Sequence, residues 1–193
     1  DGTRVVFGDR SGDVIAPLIR AFQTAGVQPR LLPTPEDPAG GDLIAVGTRR
    51  DRAVDRLCRE RGLDVSADYP GPEGYVIDIA PDGVVVAGSD SAGAFYGALT
   101  LAQMIEKGRS PAVEGVTIYD RPDLRMRTLF TMRNLLVDKN VDDAVALIRR
   151  ATDCKMNRLF LSDFKFWILD EMAKRYFDNV ERVRSATRKG FME

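Results

Sequence analysis

Two glycine-bracketed loops are the first places where residue type and spacing could do chemistry. Gly8-Asp9-Arg10-Ser11-Gly12 joins a strand-like run to a helical one, so its amides could cradle a phosphate at a helix start. It matches neither GxxxxGK[ST] nor GxGxxG, and an ordinary β-α turn accounts for it. Gly88-Ser89-Asp90-Ser91-Ala92-Gly93 has the outline of a serine nucleophile turn, but the spacing is wrong and helix capping explains it. Histidine is absent from all 193 residues, which excludes a Ser-His-Asp relay, a histidine general base and a His-ligated metal within the chain. Cys58 and Cys154 are far apart, each on a helix-like pattern, and read as two buried free thiols. A structural zinc site would need about four N or S ligands, so no metal and no cofactor is expected.

The elements that would position such residues follow from periodicity. Thr3–Gly8, Gln28–Leu32 and Asp42–Gly47 are short apolar runs that read as strands. Val14, Ile15, Leu18, Ile19 and Phe22 recur with helical spacing up to Gly26, with Asp9 or Ser11 as cap. Arg50–Arg61 is a second helix that turns Val54, Leu57 and Cys58 inward. Its arginines, Arg49, Arg50, Arg52, Arg56, Arg59 and Arg61, alternate with acids and read as a solvated face. Residues 33–41 are a loop by composition. Gly74–Ile79 and Val84–Ala87 flank Pro81-Asp82-Gly83, a hairpin signature. Phe95, Leu99, Ala102 and Ile105 make one face of a third helix. In it Gly93 and Gly97, four apart, leave a groove where a strand can approach closely. Val113–Tyr119 is the next strand. These elements predict an α+β domain over 1–119, a mixed sheet with helices on one face.

After Asp120-Arg121-Pro122-Asp123 the pattern changes. Met126–Met132 and Asn157–Leu161 read as strands. Helices are predicted from a cap at Asn140 and over Tyr176–Lys189, and Phe191 begins a third strand. β-α-β-α-β is the repeat of a parallel barrel or an open doubly wound sheet. Residues 120–193 are thus expected to be the incomplete beginning of such a domain. Its helices would leave apolar faces open to self-association.

Composition bounds the partners. Hydrophobic residues make up 44% and charged residues 30% of the chain, with a net charge of −1 and basic residues spread along it. No basic stripe suited to nucleic acid is present, and no apolar run approaches the roughly 18 residues of a membrane span. No signal peptide is visible.

GPEGYVIDIAPDGVVVAGSDSAGAFYGALTLAQMI, followed by VTIYDRPDLRMRTLF, resembles the glycoside hydrolase family 20 group, the β-N-acetylhexosaminidases and their relatives. The matching positions are Gly74-Tyr75, Ala92-Gly93-Ala94-Phe95-Tyr96-Gly97, Asp120-Arg121-Pro122 leading to Arg127, and Lys155-Met156-Asn157 with Leu161, Asp163 and Trp167. The resemblance is strongest over residues 73–167. It implies a small α+β domain entering a TIM barrel, and a carbohydrate substrate. It also implies an extracellular or periplasmic setting. It makes Arg127 the first-strand arginine that holds sugar hydroxyls, a role suited to the fixed donors of a guanidinium. Pairing of Arg127 with a carboxylate such as Asp163 is the competing reading. Asp163 would support the acid end of the site or cap a loop. Trp167 would be a sugar platform or, as favoured, plain packing.

Three departures stand out: Phe160 replaces the family's histidine, Thr128 its glycine, and Phe164-Lys165-Phe166 a more polar loop. The family's chemistry uses an Asp-Glu pair after the fourth barrel strand, the glutamate as acid and the aspartate orienting the 2-acetamido group. Asp170-Glu171 follows the second strand and reads as a solvated helix start. The fragment is therefore expected to lack catalysis itself. The alternatives are a non-catalytic scaffold or interaction module from an inactive relative, and a nucleotide- or receiver-like domain at 1–62.

Overall fold

The computed structural model describes residues 2–8, 12–33, 43–107, 115–162 and 174–190. The chain divides into two compact units, Asp1–Asp123 and Leu124–Glu193.

Unit 1 is built from β1 (Arg4–Phe7), a 3-10 turn (Asp13–Ile15), α1 (Ala16–Thr24), β2 (Arg30–Pro33), β3 (Leu43–Thr48), α2 (Arg52–Glu60), β4 (Tyr75–Ala80), β5 (Gly83–Gly88), α3 (Ser91–Lys107) and β6 (Val116–Asp120). Its six-stranded mixed sheet runs β2-β1-β3-β5-β4-β6. The first four strands in that order pair in parallel, while β4 runs antiparallel to both β5 and β6. The expected caps Asp9 and Ser11 lie outside the described residues, as does the loop expected over 33–41 apart from Pro33, which ends β2.

Helices cover both faces of this sheet, which corrects the single-faced arrangement expected from sequence. Val6, Ala45, Val76, Val85 and Ala87 pack with Val54, Leu57 and Cys58 of α2. The alternate positions Val5, Ile44, Val46, Ile77 and Val86 are also buried. They belong to the opposite face because side chains alternate along a strand, and α3 packs on that side, its Gly97 against Val86. A strand buried on both faces reads as a continuous apolar run, so it does not reveal how many helix layers cover it.

Arg61 is a second correction. It leaves the solvated face of α2 and is largely buried, donating to Asp78 Oδ2 at 2.8 Å and to Asp82 Oδ1 at 2.9 Å. Thr117 Oγ1 donates to the other Asp78 oxygen at 2.6 Å. Of the other arginines of α2, Arg59 pairs with Asp55 and Arg56 with Glu60 at the surface.

The residues behind the family resemblance turn out to be joints. A Cβ on Gly93 would lie 2.1 Å from Gly74 O, and one on Gly97 would lie 2.6 Å from Val86 Cγ1 and 3.2 Å from the Tyr75 ring. Only glycine permits that approach of α3 to β4 and β5. Asp90 caps α3 by accepting from Gly93 N at 2.8 Å and reaches back to Glu73 N at 2.9 Å. Tyr75 Oη donates to Asp120 Oδ2 at 2.5 Å and lies 2.8 Å from Thr100 Oγ1, tying β4, β6 and α3 together.

Unit 2 comprises β7 (Thr128–Met132), α4 (Asp138–Asp153), β8 (Arg158–Ser162) and α5 (Lys174–Lys189). β7 and β8 are parallel, in register from Thr128↔Arg158 to Met132↔Ser162. Val141, Ala144, Ile148, Tyr176 and Val183 form the core with Leu135 and Ala151, and Leu129, Leu159 and Leu161 pack on it from the strands. The apolar faces of α4 and α5 are therefore largely closed on each other and on the strands, contrary to expectation. The apolar surface left open lies mostly on the far side of the strand pair. α4 also begins earlier than predicted, with Val137 at the cap position. Asn140 instead sits in the first turn and donates from Nδ2 to Asn134 O at 3.1 Å. The third strand expected at Phe191 lies outside the described residues.

Candidate functional site

In unit 2 the strand pair has two ends of different character. At the N-terminal end, Arg127 immediately precedes β7. Its Nε donates to Lys155 O at 2.6 Å and its Nη1 to Leu124 O at 2.8 Å. Lys155 adopts a left-handed backbone, φ 56°, as α4 turns into β8, which exposes its carbonyl to that guanidinium. Asn157 completes the joint: Oδ1 accepts from Arg127 N at 2.9 Å and Nδ2 donates to Arg125 O at 2.8 Å. Arg127, Lys155 and Asn157, singled out from sequence for their match to a sugar-binding family, meet here as a backbone tether.

The C-terminal end carries a different arginine. Arg133 follows Met132; its amide donates to Ser162 O at 3.1 Å and its Nη1 to Met132 O at 2.8 Å. Arg133 is half-buried, and Asn134 shapes the turn behind it by accepting from Leu136 N at 3.0 Å. Arg133 falls outside the motifs that carry the family resemblance. The signal that could have found it was its position one residue past the strand, at the end where parallel barrels keep their chemistry. Asp163, Trp167 and the Asp170-Glu171 pair lie outside the described residues. Ser162, the last described residue before them, is at the Arg133 end. Five strand residues, about 16 Å at 3.3 Å each, separate that end from Arg127, so the structure does not bring Arg127 to it.

Between the ends, Phe130 and Phe160 stack on the side away from α4, with centroids 5.4 Å apart and planes inclined by 19°. They are 59% and 57% exposed. Phe160, which stands where the resemblance calls for histidine, thus offers an aromatic face in place of a proton-carrying ring. The described strands β7 and β8 themselves carry no carboxylate.

An apolar cavity of about 250 Å³ under α1 and α3, lined by Phe22, Ile44, Ile79, Leu101 and Ile105 among others, holds no titratable group. Cys58 is fully buried and free, and burial pushes its thiol up to about 11. Cys154 is free but exposed at the end of α4, correcting the expectation of two buried thiols. Among the described residues no group of His, Cys, Asp and Glu could hold a metal ion, and no helix is long and apolar enough to cross a membrane.

Comparison with known proteins joins these observations. The family model described as glycosyl hydrolase family 20, domain 2, matches residues 16–121. The solved structure of CpGH84D aligns with 100% of this chain at a TM-score of 0.79 and 14% identity, over 33% of its own length. That of CpGH84B aligns with 99% at 0.69 and 16%, over 32% of its length. A GH138 enzyme targeting pectin rhamnogalacturonan II aligns with 98% at 0.68 and 12%, over 24% of its length. At such identities the likeness is one of fold, and the chain spans about a third or less of each of these proteins.

Proposed function

The chain belongs to glycosyl hydrolase family 20 through that family's domain 2, and on that premise we propose that it is part of a carbohydrate-active enzyme whose (β/α)8 barrel opens with unit 2. The observation that carries this reading is the one-sided strand pair. β7 and β8 are parallel, backed by α4 and α5, and among the described residues they are bare on the side where the exposed Phe130 and Phe160 stack. Parallel sheets are normally covered on both faces. In a barrel the bare side is the interior, filled by side chains from neighbouring strands.

The substrate is a glycoside of the hexosaminidase type, and the acid comes from residues beyond this chain. Sugar contact is proposed from Arg133 at the C-terminal end of β7, and from Asp163 and Trp167 by the family resemblance. Arg127 holds the strand ends in place. The 193-residue chain binds but does not hydrolyse, and an extracellular or periplasmic setting belongs to the same proposal.

The test is hydrolysis of a chromogenic glycoside panel, N-acetylglucosaminides included, by the longer protein and by this chain. Turnover by the longer protein and none by the chain is expected. Arg133→Ala should raise KM at unchanged thermal stability, whereas Arg127→Ala should lower stability first. Phe160 favours a second reading, a barrel that has lost catalysis and serves as a scaffold. A longer protein silent across the panel would select it.

A further inference from the structure

Unit 1 presents an aromatic surface that neither its core nor the strand-pair site uses. Tyr69, in the loop after α2, and Tyr119, on edge strand β6, set their ring centroids 5.6 Å apart with planes inclined by 42°. They stay 48% and 39% exposed, whereas Tyr75 and Tyr96 of the same unit are buried in its core. Packing is therefore not what holds them at the surface.

The backbone beneath the pair is fixed. Ser66 N donates to Tyr69 O at 2.5 Å, and Tyr69 N donates to Ser66 Oγ at 3.1 Å, closing the loop on itself. Tyr119 lies opposite Val76 in the β4–β6 ladder. Arg121 Nη1 donates to Pro70 O at 3.3 Å, which fastens the loop to the end of β6. Two separate segments are thus held so that two rings meet in the open, with the exposed Asp68 and Arg121 at their margin.

Pre-set tyrosine rings give contact area at little cost in side-chain entropy and keep a hydroxyl for a polar rim. A pyranose is the matching shape, with C–H bonds on one face and hydroxyls around its edge. Asp68 can accept from those hydroxyls and Arg121 can donate to them. A strand added to the open edge of β6 would use backbone groups and would not need a ring from the 66–70 loop.

We propose that Tyr69 and Tyr119 form a carbohydrate platform on unit 1 that takes an oligosaccharide chain by stacking, a site additional to the strand-pair end of unit 2. The ligand class rests on the glycoside hydrolase reading above. A non-catalytic platform would raise the time the protein spends on a polymeric substrate.

The experiment titrates the 193-residue chain with two probes, soluble chito-oligosaccharides and rhamnogalacturonan oligosaccharides. Binding is followed by calorimetry and by shifts of the tyrosine ring signals. At least one probe is expected to bind and to shift both rings. Tyr69→Ala and Tyr119→Ala should each weaken it at least about tenfold, while the Phe variants stay within about threefold. The wild-type ring shifts give the same readout should an alanine variant fold poorly. No binding of either probe overturns the proposal, as does binding unaltered in both alanine variants. So does a dimer that dissociates in those variants without any saccharide binding. Hydrolysis by the longer protein with unaltered binding in the alanine variants removes the platform alone. Platform binding beside a longer protein that hydrolyses nothing removes the enzyme reading alone.

Discussion

Tyr75 and the glycines facing it show how single residues set the geometry of unit 1. The Tyr75 hydroxyl gives a charge-assisted hydrogen bond to Asp120, from the middle of the sheet to its edge strand. Tyr75→Phe leaves that carboxylate short of a donor. It should cost about 1.5–3 kcal/mol, measured by urea unfolding against wild type. Gly93→Ala places a methyl 2.1 Å from a backbone oxygen that no side-chain rotation can move. A loss of more than about 3 kcal/mol is expected, read as a lowered midpoint or as failure to fold. Cys58 makes a pH prediction. Desolvation raises its thiol from 9.0 to about 11 in the folded chain, so between those values the unfolded state releases a proton that the folded state keeps. Stability then falls as pH rises from 9 to 11, by an amount on the order of 2 kcal/mol, and Cys58→Ser should flatten that slope. At neutral pH a thiol reagent should label Cys154 quickly and Cys58 only on unfolding.

At the scale of elements, α4 and α5 are joined by a core and by a polar clasp along its margin. Arg175 grips the Asp138 carboxylate through both Nε and Nη2, and Asn179 Nδ2 donates to Leu135 O at 2.8 Å and to Asp138 Oδ1 at 3.1 Å. Arg182 adds a bond to Asp142 at 2.6 Å. The Arg175 hydrogen bond, with that of Asn179, lowers the Asp138 carboxyl from 3.8 to about 2. A depressed carboxyl supports the fold above its unfolded value, and that support disappears as pH falls from 3.8 towards 2. Arg175→Ala should therefore move the acid-unfolding midpoint of unit 2 to higher pH, followed by near-UV circular dichroism of Tyr176. The core beneath is the larger contributor: Ile148→Ala should destabilise unit 2 by about 2–5 kcal/mol, seen as a lowered thermal midpoint.

For the whole molecule, the consequence is an apolar surface left exposed among the described residues of unit 2. Phe130, Phe160 and Met132 lie exposed on one side of β7 and β8. If further strands of a longer protein close over them, amide exchange in β7 and β8 should slow by orders of magnitude relative to this chain. The core of unit 1 should exchange alike in both. Equal exchange in β7 and β8 would count against the barrel. Phe130→Ser with Phe160→Ser should reduce dye binding by this chain with little loss of stability, since the rings bury little here.

Much of the local architecture was legible in the chain because it depends on neighbours in sequence. The helical spacing up to Gly26 and the Pro81-Asp82-Gly83 hairpin are set within a few residues, and the structure has them where the pattern puts them. The family resemblance came from the same local motifs, but what those motifs do depends on partners far along the chain. Tyr75 meets Asp120 across 45 positions and Arg127 meets Lys155 across 28. The sequence by itself determined the order of strands and helices and the absence of any histidine chemistry. The tertiary structure alone decided that helices cover both faces of the first sheet. It also decided that Arg61 is a buried pin, that Arg127 ties strand ends while Arg133 stands at the opposite end, and that Phe130 and Phe160 are left open. Periodicity reports which side of an element is apolar; what that side meets is a matter of how distant elements pack.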